Sequence, residues 1–245
     1  MERYSKENPA SIQQMFSSIA QNYDKTNAIL SFQMHKRWNR ELVKHIGGEE
    51  ETETLLDLCC GTGDIAFSCL ANSKKKRKVY LLDFCQEMLD CAKEKSFAQG
   101  FSKHHISYLQ ADAQSIPLPS ESISLTTLAY GIRNIQNPQA CFRETFRVLS
   151  PGGKFGILEL TTPPNPFLRF GHRIYLRTIL PLLGKWLTNN KDAYQYLCRS
   201  IHNFTPPSEI TRMLKEEGFQ QITLSPLLGG IATLFTCAKP LINPQ

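Results

Sequence analysis

The sequence predicts an α/β fold: a mostly parallel, seven-stranded sheet with helices on both faces and an antiparallel hairpin at its end. Two observations predict it. From residue 54 onward, short apolar runs alternate with stretches of helical periodicity, the pattern that builds parallel strands joined by crossover helices. Later, the uncharged stretch Gln220–Ala238 is broken at its middle by Pro226, Gly229 and Gly230, which reads as two strands around a turn and not as a membrane span.

Ahead of the sheet, residues 1–50 read as a helical cap. Asn8 caps a start with Pro9 at the first position, and Ile12, Met15, Phe16 and Ile19 share one face. Strands are expected near 54–59, 78–83, 105–110, 122–128 and 153–160, with helices near 63–71, 86–99 and 138–149 between them. Asn137-Pro138 opens the last of these helices and Pro151-Gly152-Gly153 follows it. An aromatic and basic helical insertion over 166–203 comes next, then a helix over 206–217 that stops at Gly218. No repeat or long Gly/Ser/Pro linker divides the 245 residues, so one domain over 1–245 is expected.

Composition narrows the function classes. The net charge of +6 comes almost wholly from one run, Lys74, Lys75, Lys76, Arg77 and Lys78, placed between a helix and a strand, where a solvated loop is the expectation. The remainder is nearly neutral, which argues against a nucleic-acid partner. Eight cysteines, at 59, 60, 69, 85, 91, 141, 198 and 237, contain no C-x-x-C pair, so neither a disulfide framework nor a metal site is indicated. The start lacks a basic, then apolar leader, and a cytoplasmic protein is expected.

The chemistry concentrates in "LLDLCCGTGDIAF", Leu55 to Phe67. Gly61, Gly63 and Ala66 satisfy G-x-G-x-x-A, and Asp83 follows twenty residues beyond Gly63, which is the dinucleotide fingerprint with its ribose acid. Charge opposes a dinucleotide: Asp57 ends the strand and Asp64 sits in the first helical turn, flanking the place where a pyrophosphate would lie. A cationic ligand without phosphate, such as S-adenosylmethionine, suits the turn better, with Asp83 gripping its ribose diol. Asp112 and Ala113, just past the third strand, can meet an adenine through a carboxylate and a backbone amide, although an Asp capping a turn is an equal alternative.

These elements together resemble class I S-adenosylmethionine-dependent methyltransferases, whose fold is Rossmann-like; Cys59 stands where that pattern usually has its first glycine. A resemblance along nearly the whole chain is carried by "YDKTNAILSFQMHKRW" (Tyr23 to Trp38), "GTGD", "YGIRN" (Tyr130 to Asn134) and "RVLSPGGKFGILELT" (Arg147 to Thr161). In these the chain is similar to the ubiquinone/menaquinone biosynthesis C-methyltransferase family.

The resemblance implies methyl transfer from S-adenosylmethionine to a ring carbon of a polyprenylated quinol, either demethylmenaquinol or a 2-methoxy-6-polyprenyl-1,4-benzoquinol. It implies cofactor contacts at Thr62, Asp83, Asp112, Ala113 and Ala129, with Asp57, Gly61 and Gly63 shaping the methionine end. Arg133 is expected to stabilise the quinolate oxygen, Asn134 to orient it and His35 to accept the proton; pairing and capping roles are the alternatives for the first two, a structural histidine for the third. Tyr23 and Asp24 belong to an expected amino-terminal flap. In the insertion, Arg169, Arg173 and Arg177 recur every four residues beside Phe167, Phe170, Ile174 and Tyr175, either solvated or facing anionic lipid headgroups at the inner face of a membrane. A homodimer is a further expectation. Two rivals stay open: an RNA or DNA methyltransferase, disfavoured because "AYGIRN" replaces the Asn/Asp-Pro-Pro-aromatic turn of base-amine enzymes, and a nicotinamide dehydrogenase.

Overall fold

The computed structural model describes residues 4–47, 54–71, 73, 75–182 and 191–241. Helix α1 (Pro9–Ile19) begins as its capping chemistry requires, with the Asn8 side chain accepting from the Ser11 backbone N–H at 3.3 Å and Pro9 in the first turn. Helices α2 (Tyr23–Leu30) and α3 (Met34–His45) follow. The alternating region then gives β1 (Thr54–Leu58), α4 (Asp64–Leu70), β2 (Lys78–Asp83), α5 (Gln86–Ala98), β3 (His105–Gln110), β4 (Ile123–Ala129), α6 (Pro138–Val148) and β5 (Leu149–Leu160). Helices α7 (Pro166–Ile174), α8 (Lys191–His202) and α9 (Pro207–Glu216) precede β6 (Gln220–Leu227) and β7 (Ala232–Ala238).

The seven strands lie in the order β3-β2-β1-β4-β5-β7-β6. Strands β1 to β5 pair in parallel, while β7 runs antiparallel to both β5 and β6. The order reverses between β1 and β4, so the crevice beyond their carboxyl ends is where a ligand is received.

Two apolar layers sandwich the sheet. On one face Trp38, Leu42 and Ile46 of the α3 region and Ile65 and Phe67 of α4 pack on Leu55, Leu125 and Leu158. On the other, Phe142 of α6 and Leu214 of α9 pack with Phe155 and Phe219, the Phe142 and Phe155 rings meeting edge-on at 6.2 Å.

Three expectations are corrected. Arg77 is not part of a solvated loop. It is 1% exposed and its Nη1 donates to the Cys69 carbonyl at 3.2 Å, in the last turn of α4, where carbonyls lack helical partners and favour a cation. Strand β5 starts at Leu149 instead of 153, because a register shift against β4 between Ile123 and Leu125 absorbs Pro151-Gly152-Gly153. In the insertion, Tyr175–Ile179 forms a π-helical turn after α7, which breaks the four-residue spacing of its arginines. Arg169 is anchored on the preceding loop, donating to the Pro163 and Pro164 carbonyls at 2.9 and 2.7 Å. Among the described residues, no helix is long and apolar enough to cross a membrane.

Helix α3 docks on β5 through an absent side chain. A Cβ at Gly156 would lie 2.4 Å from Ile46 Cγ2 and 2.7 Å from Leu42 Cδ1. Gly156→Ala is expected to lower unfolding free energy by about 1–3 kcal/mol through overpacking, read by urea denaturation; an unchanged midpoint would show that α3 shifts freely.

Candidate active site

The site is built on the turn between β1 and α4. Cys59, Gly61 and Gly63 all have left-handed φ, at +51°, +53° and +83°, so the chain folds back sharply between β1 and α4. The side chain of Cys59 in this tight turn is accommodated by Gly131, where a Cβ would come within 2.5 Å of Cys59 Cβ. Above Gly61, a Cβ would meet only Tyr23, at 3.8 Å, leaving the turn open to a ligand.

Two buried acids hold the turn from opposite sides. Asp57 accepts from Thr127 Oγ1 at 2.6 Å and from the Ala66 N–H at 3.2 Å; burial nevertheless pushes its carboxyl up to about 7. Asp83 accepts from the Gly61 N–H at 2.9 Å and the Cys85 N–H at 3.0 Å, and burial raises it to about 6.

Two cavities meet over this turn, sharing Tyr23, Cys59, Gly61, Ala129 and Tyr130 in their walls. The larger, about 510 Å³, brings together His35, Asp57, Gly61, Thr62, Ala129 and Arg133. The smaller, about 80 Å³, brings together Gly61, Asp83, Asp112, Ala113, Ala129 and Asn134. Of the expected residues only Gly63 borders neither; its conformation carries the chain into α4, where a Cβ would strike the Phe67 ring at 2.6 Å. Asp112 caps its own turn, accepting from the Gln114 N–H at 2.9 Å, and also faces the smaller cavity, so the two readings of this residue coincide.

Among the described residues, no Lys, Arg or His lines the smaller cavity, whose acids are Asp83 and Asp112. Such a pocket suits a nucleoside with hydroxyl and amine donors and opposes a pyrophosphate. The fit to S-adenosylmethionine therefore holds on this chain's own residues, with one revision. Asp64 is paired with Lys95, which also reaches Asp24 Oδ2 at 2.6 Å, while Thr62 Oγ1 donates to Asp24 Oδ1 at 2.5 Å. The Asp64 charge is thus largely balanced, and the same network ties the Tyr23–Asp24 segment down onto the turn.

His35 borders the larger cavity and is 8% exposed. Its Nδ1 lies 2.6 Å from Ser31 Oγ, and that hydroxyl sits 2.6 Å from the Asn27 carbonyl, to which it donates. The network therefore assigns the proton to Nδ1 and leaves Nε2 with its lone pair. Burial lowers the ring's pKa, keeping it neutral at pH 7. Arg133 is buried and paired with Glu159, Nη1 to Oε1 at 2.5 Å. Asn134 Oδ1 accepts from Tyr196 of α8 at 2.9 Å.

Sequence reasoning missed Glu159, Lys95, Ser31 and Tyr196. The signal for Glu159 was an acid inside the apolar run of β5, which requires a buried partner; the other three depend on contacts between distant segments.

Comparison with known proteins agrees with this geometry. Solved structures with the same fold include an S-adenosylmethionine-dependent methyltransferase of Aquifex aeolicus, 17% identical with a TM-score of 0.61, covering 91% of this chain and 97% of that one. They also include the [4+2]-cyclase SpnF, 14% identical with a TM-score of 0.64, covering 96% of this chain and 97% of that one. These likenesses place the chain in the Rossmann-like class of α/β proteins, within which the fold alone does not fix the reaction. The ubiE/COQ5 methyltransferase family model matches residues 3–239, and the chain belongs to that family. A relative from Protochlamydia amoebophila (strain UWE25), named demethylmenaquinone methyltransferase, is 52% identical over 241 residues, 98% of this chain and all of the relative. One from Bartonella quintana (strain Toulouse), named ubiquinone/menaquinone biosynthesis C-methyltransferase UbiE, is 35% identical over 92% of this chain and 86% of the relative.

The raised acids set a pH dependence. Below about 6, Asp83 and Asp57 are protonated; as pH rises to about 7 both ionise. Their ionisation, unfavourable in the empty fold, costs stability over the window from the unfolded carboxyl range up to these values. A cation offsets that cost. Affinity for S-adenosylmethionine is expected to rise several-fold between pH 5.5 and 7.5 by titration calorimetry, with a flatter profile in Asp57→Asn; identical profiles would remove Asp57 from the site.

Proposed function

We propose that the chain is an S-adenosylmethionine-dependent C-methyltransferase acting on the ring of a polyprenylated quinol, with demethylmenaquinol as the leading substrate and a 2-methoxy-6-polyprenyl-1,4-benzoquinol as the second. The observation that carries this reading is the meeting of a small acidic pocket with a much larger, mainly apolar cavity across Gly61, Ala129 and Tyr130. Family membership and the names of the relatives support it.

When bound, the cofactor supplies a methyl carbon on a sulfonium. Asp83 would accept from the ribose hydroxyls, the Ala113 amide and Asp112 would hold the adenine, and Thr62, Gly61 and Ala129 would hold the methionine part, with the Asp57 carboxylate beneath the turn as the nearby negative charge. In the larger cavity the reacting carbon becomes nucleophilic when the adjacent ring hydroxyl loses its proton. His35 takes that proton on Nε2 and becomes an imidazolium while its Nδ1–H stays bonded to Ser31; once the ring carbon holds the methyl group, its own C–H proton leaves and aromaticity returns. Arg133 meets the resulting oxygen anion, while Asn134, held by Tyr196, borders the adjoining smaller cavity. Arg133 is the one Lys or Arg in the described wall of the larger cavity, which favours a small anionic intermediate over a polyphosphate backbone.

The described residues 166–182 and 191–202 cover the quinol and receive its tail. Leu176, Leu180, Leu197 and Ile201 form the inner apolar wall, and Phe32, Phe167, Leu168 and Leu228 stand at 71%, 86%, 47% and 56% exposure along its rim. Helix α7 buries none of its residues and carries Phe170 exposed beside Arg173. This apolar and cationic surface suits peripheral contact with an anionic membrane that holds the prenyl chain.

The test is incubation of the purified protein with methyl-labelled S-adenosylmethionine and chemically reduced demethylmenaquinol in detergent micelles, with the benzoquinol and bulk tRNA in parallel. Label is expected in a quinol; label confined to tRNA overturns the reading. Arg133→Met should lower kcat by about 10²–10³-fold with cofactor affinity retained, and unchanged turnover would remove its role. For the membrane contact, Phe167→Ser/Phe170→Ser should abolish co-sedimentation with anionic vesicles, whereas undiminished binding would place the contact elsewhere.

A further inference from the structure

Glu159, the penultimate residue of β5, is in register with Thr233 of β7 and is fully buried. It borders neither cavity of the site, yet both its oxygens are committed there. Oε1 accepts from Arg133 Nη1 at 2.5 Å and from the Leu160 N–H at 2.7 Å; Oε2 accepts from the Arg133 backbone N–H at 3.3 Å. Arg133 Nη1 also donates to the Tyr130 carbonyl at 2.6 Å. One carboxylate therefore grips main chain and side chain of the same arginine, and the guanidinium cannot rotate without losing contacts at both ends. Its Nε is buried and has no protein partner, an expensive state for a donor unless something else fills it.

The charges around Arg133 are few. Tyr23 of α2, Tyr130 after β4 and Tyr196 of α8 face it, and burial raises all three phenols, so they are neutral near pH 7. His35, Asp57 and Asp64 share the larger cavity, the first neutral and the last paired with Lys95. Glu159 is the one acid bonded to the Arg133 side chain among the described residues.

We propose that Glu159 is a positioning residue for ring methylation: it fixes the Arg133 guanidinium with a donor left for the quinol oxygen and offsets part of its charge, setting the pH at which the bound hydroxyl ionises. This rests on the proposed quinol chemistry and on Arg133 meeting the oxygen anion. With the carboxylate present, the arginine acts on the hydroxyl as half of a neutral pair. Without it, the full positive charge acts, and the hydroxyl ionises at lower pH.

The test uses the whole protein, S-adenosylmethionine and demethylmenaquinol in micelles, following kcat against pH. Glu159→Gln should move the acid limb down by about one pH unit and lower the plateau by about 10–100-fold as the guanidinium loosens. Glu159→Asp, which keeps the charge but withdraws it by a methylene, should lower the plateau and leave the limb in place. In the Arg133→Met background, adding Glu159→Gln should change kcat less than about twofold, because its only route of action is gone. That double variant strands no buried charge, so it and Glu159→Asp decide the matter if Glu159→Gln does not fold. An unmoved limb in Glu159→Gln, wild-type kcat in Glu159→Asp, or an equal loss in both backgrounds overturns the proposal. Wild-type protein that labels no quinol overturns the underlying reading instead, and the proposal with it.

Discussion

Everything in the site depends on the left-handed turn after β1 being held open by two buried carboxylates. Asp57 fixes its far side through the Ala66 amide and Thr127 of the neighbouring strand, and Asp83 fixes its near side through the Gly61 amide. Asp83 ends β2 and Asp57 is one residue from the end of the parallel strand β1, so the sheet brings both to one crevice. Their hydrogen bonds satisfy backbone donors that the sharp turn exposes, and their burial leaves them poised to respond to a cation. The same atoms therefore serve folding and ligand recognition.

Around this turn the amino-terminal helices act as a second wall. Tyr23 borders both cavities, and Asp24 is tied through Thr62 and Lys95 to the core. Gln13 of α1 donates to the Phe84 carbonyl at 2.9 Å, and Phe16 packs edge-on against Tyr23 and Phe84. The cap is thus fastened at the carboxyl ends of β1 and β2, beside the turn where the two cavities meet.

Much of this was legible in the sequence because it is local. Strand and helix periods, the Asn8-Pro9 and Asn137-Pro138 starts and the glycine turn each declare themselves within a few residues, and β2 and β3 fall where expected. The expected cofactor and catalytic residues other than Gly63 line one pair of joined cavities. What escaped is long-range. Arg77 looked like one more solvated cation in a basic run, yet its guanidinium serves a helix carbonyl eight residues earlier. The balance of Asp64 by Lys95 and of Arg133 by Glu159 crosses 31 and 26 residues of chain, and no periodicity encodes such pairs. The π-helical turn, whose Leu176 packs with Leu180, Tyr194 and Ile201, likewise has no signature in the sequence.

The exchange of volume between Cys59 and Gly131 has a consequence for how this sequence can change. A side chain at 131 collides with Cβ and Sγ of Cys59, whereas with glycine at 59 its remaining near neighbour would be Leu128 at 3.7 Å, an ordinary contact. The two positions are consequently not independent, and the order of substitution matters. From the present state, residue 59 must shrink before residue 131 can grow, so one mutational path between the two arrangements is open and the other passes through a clash.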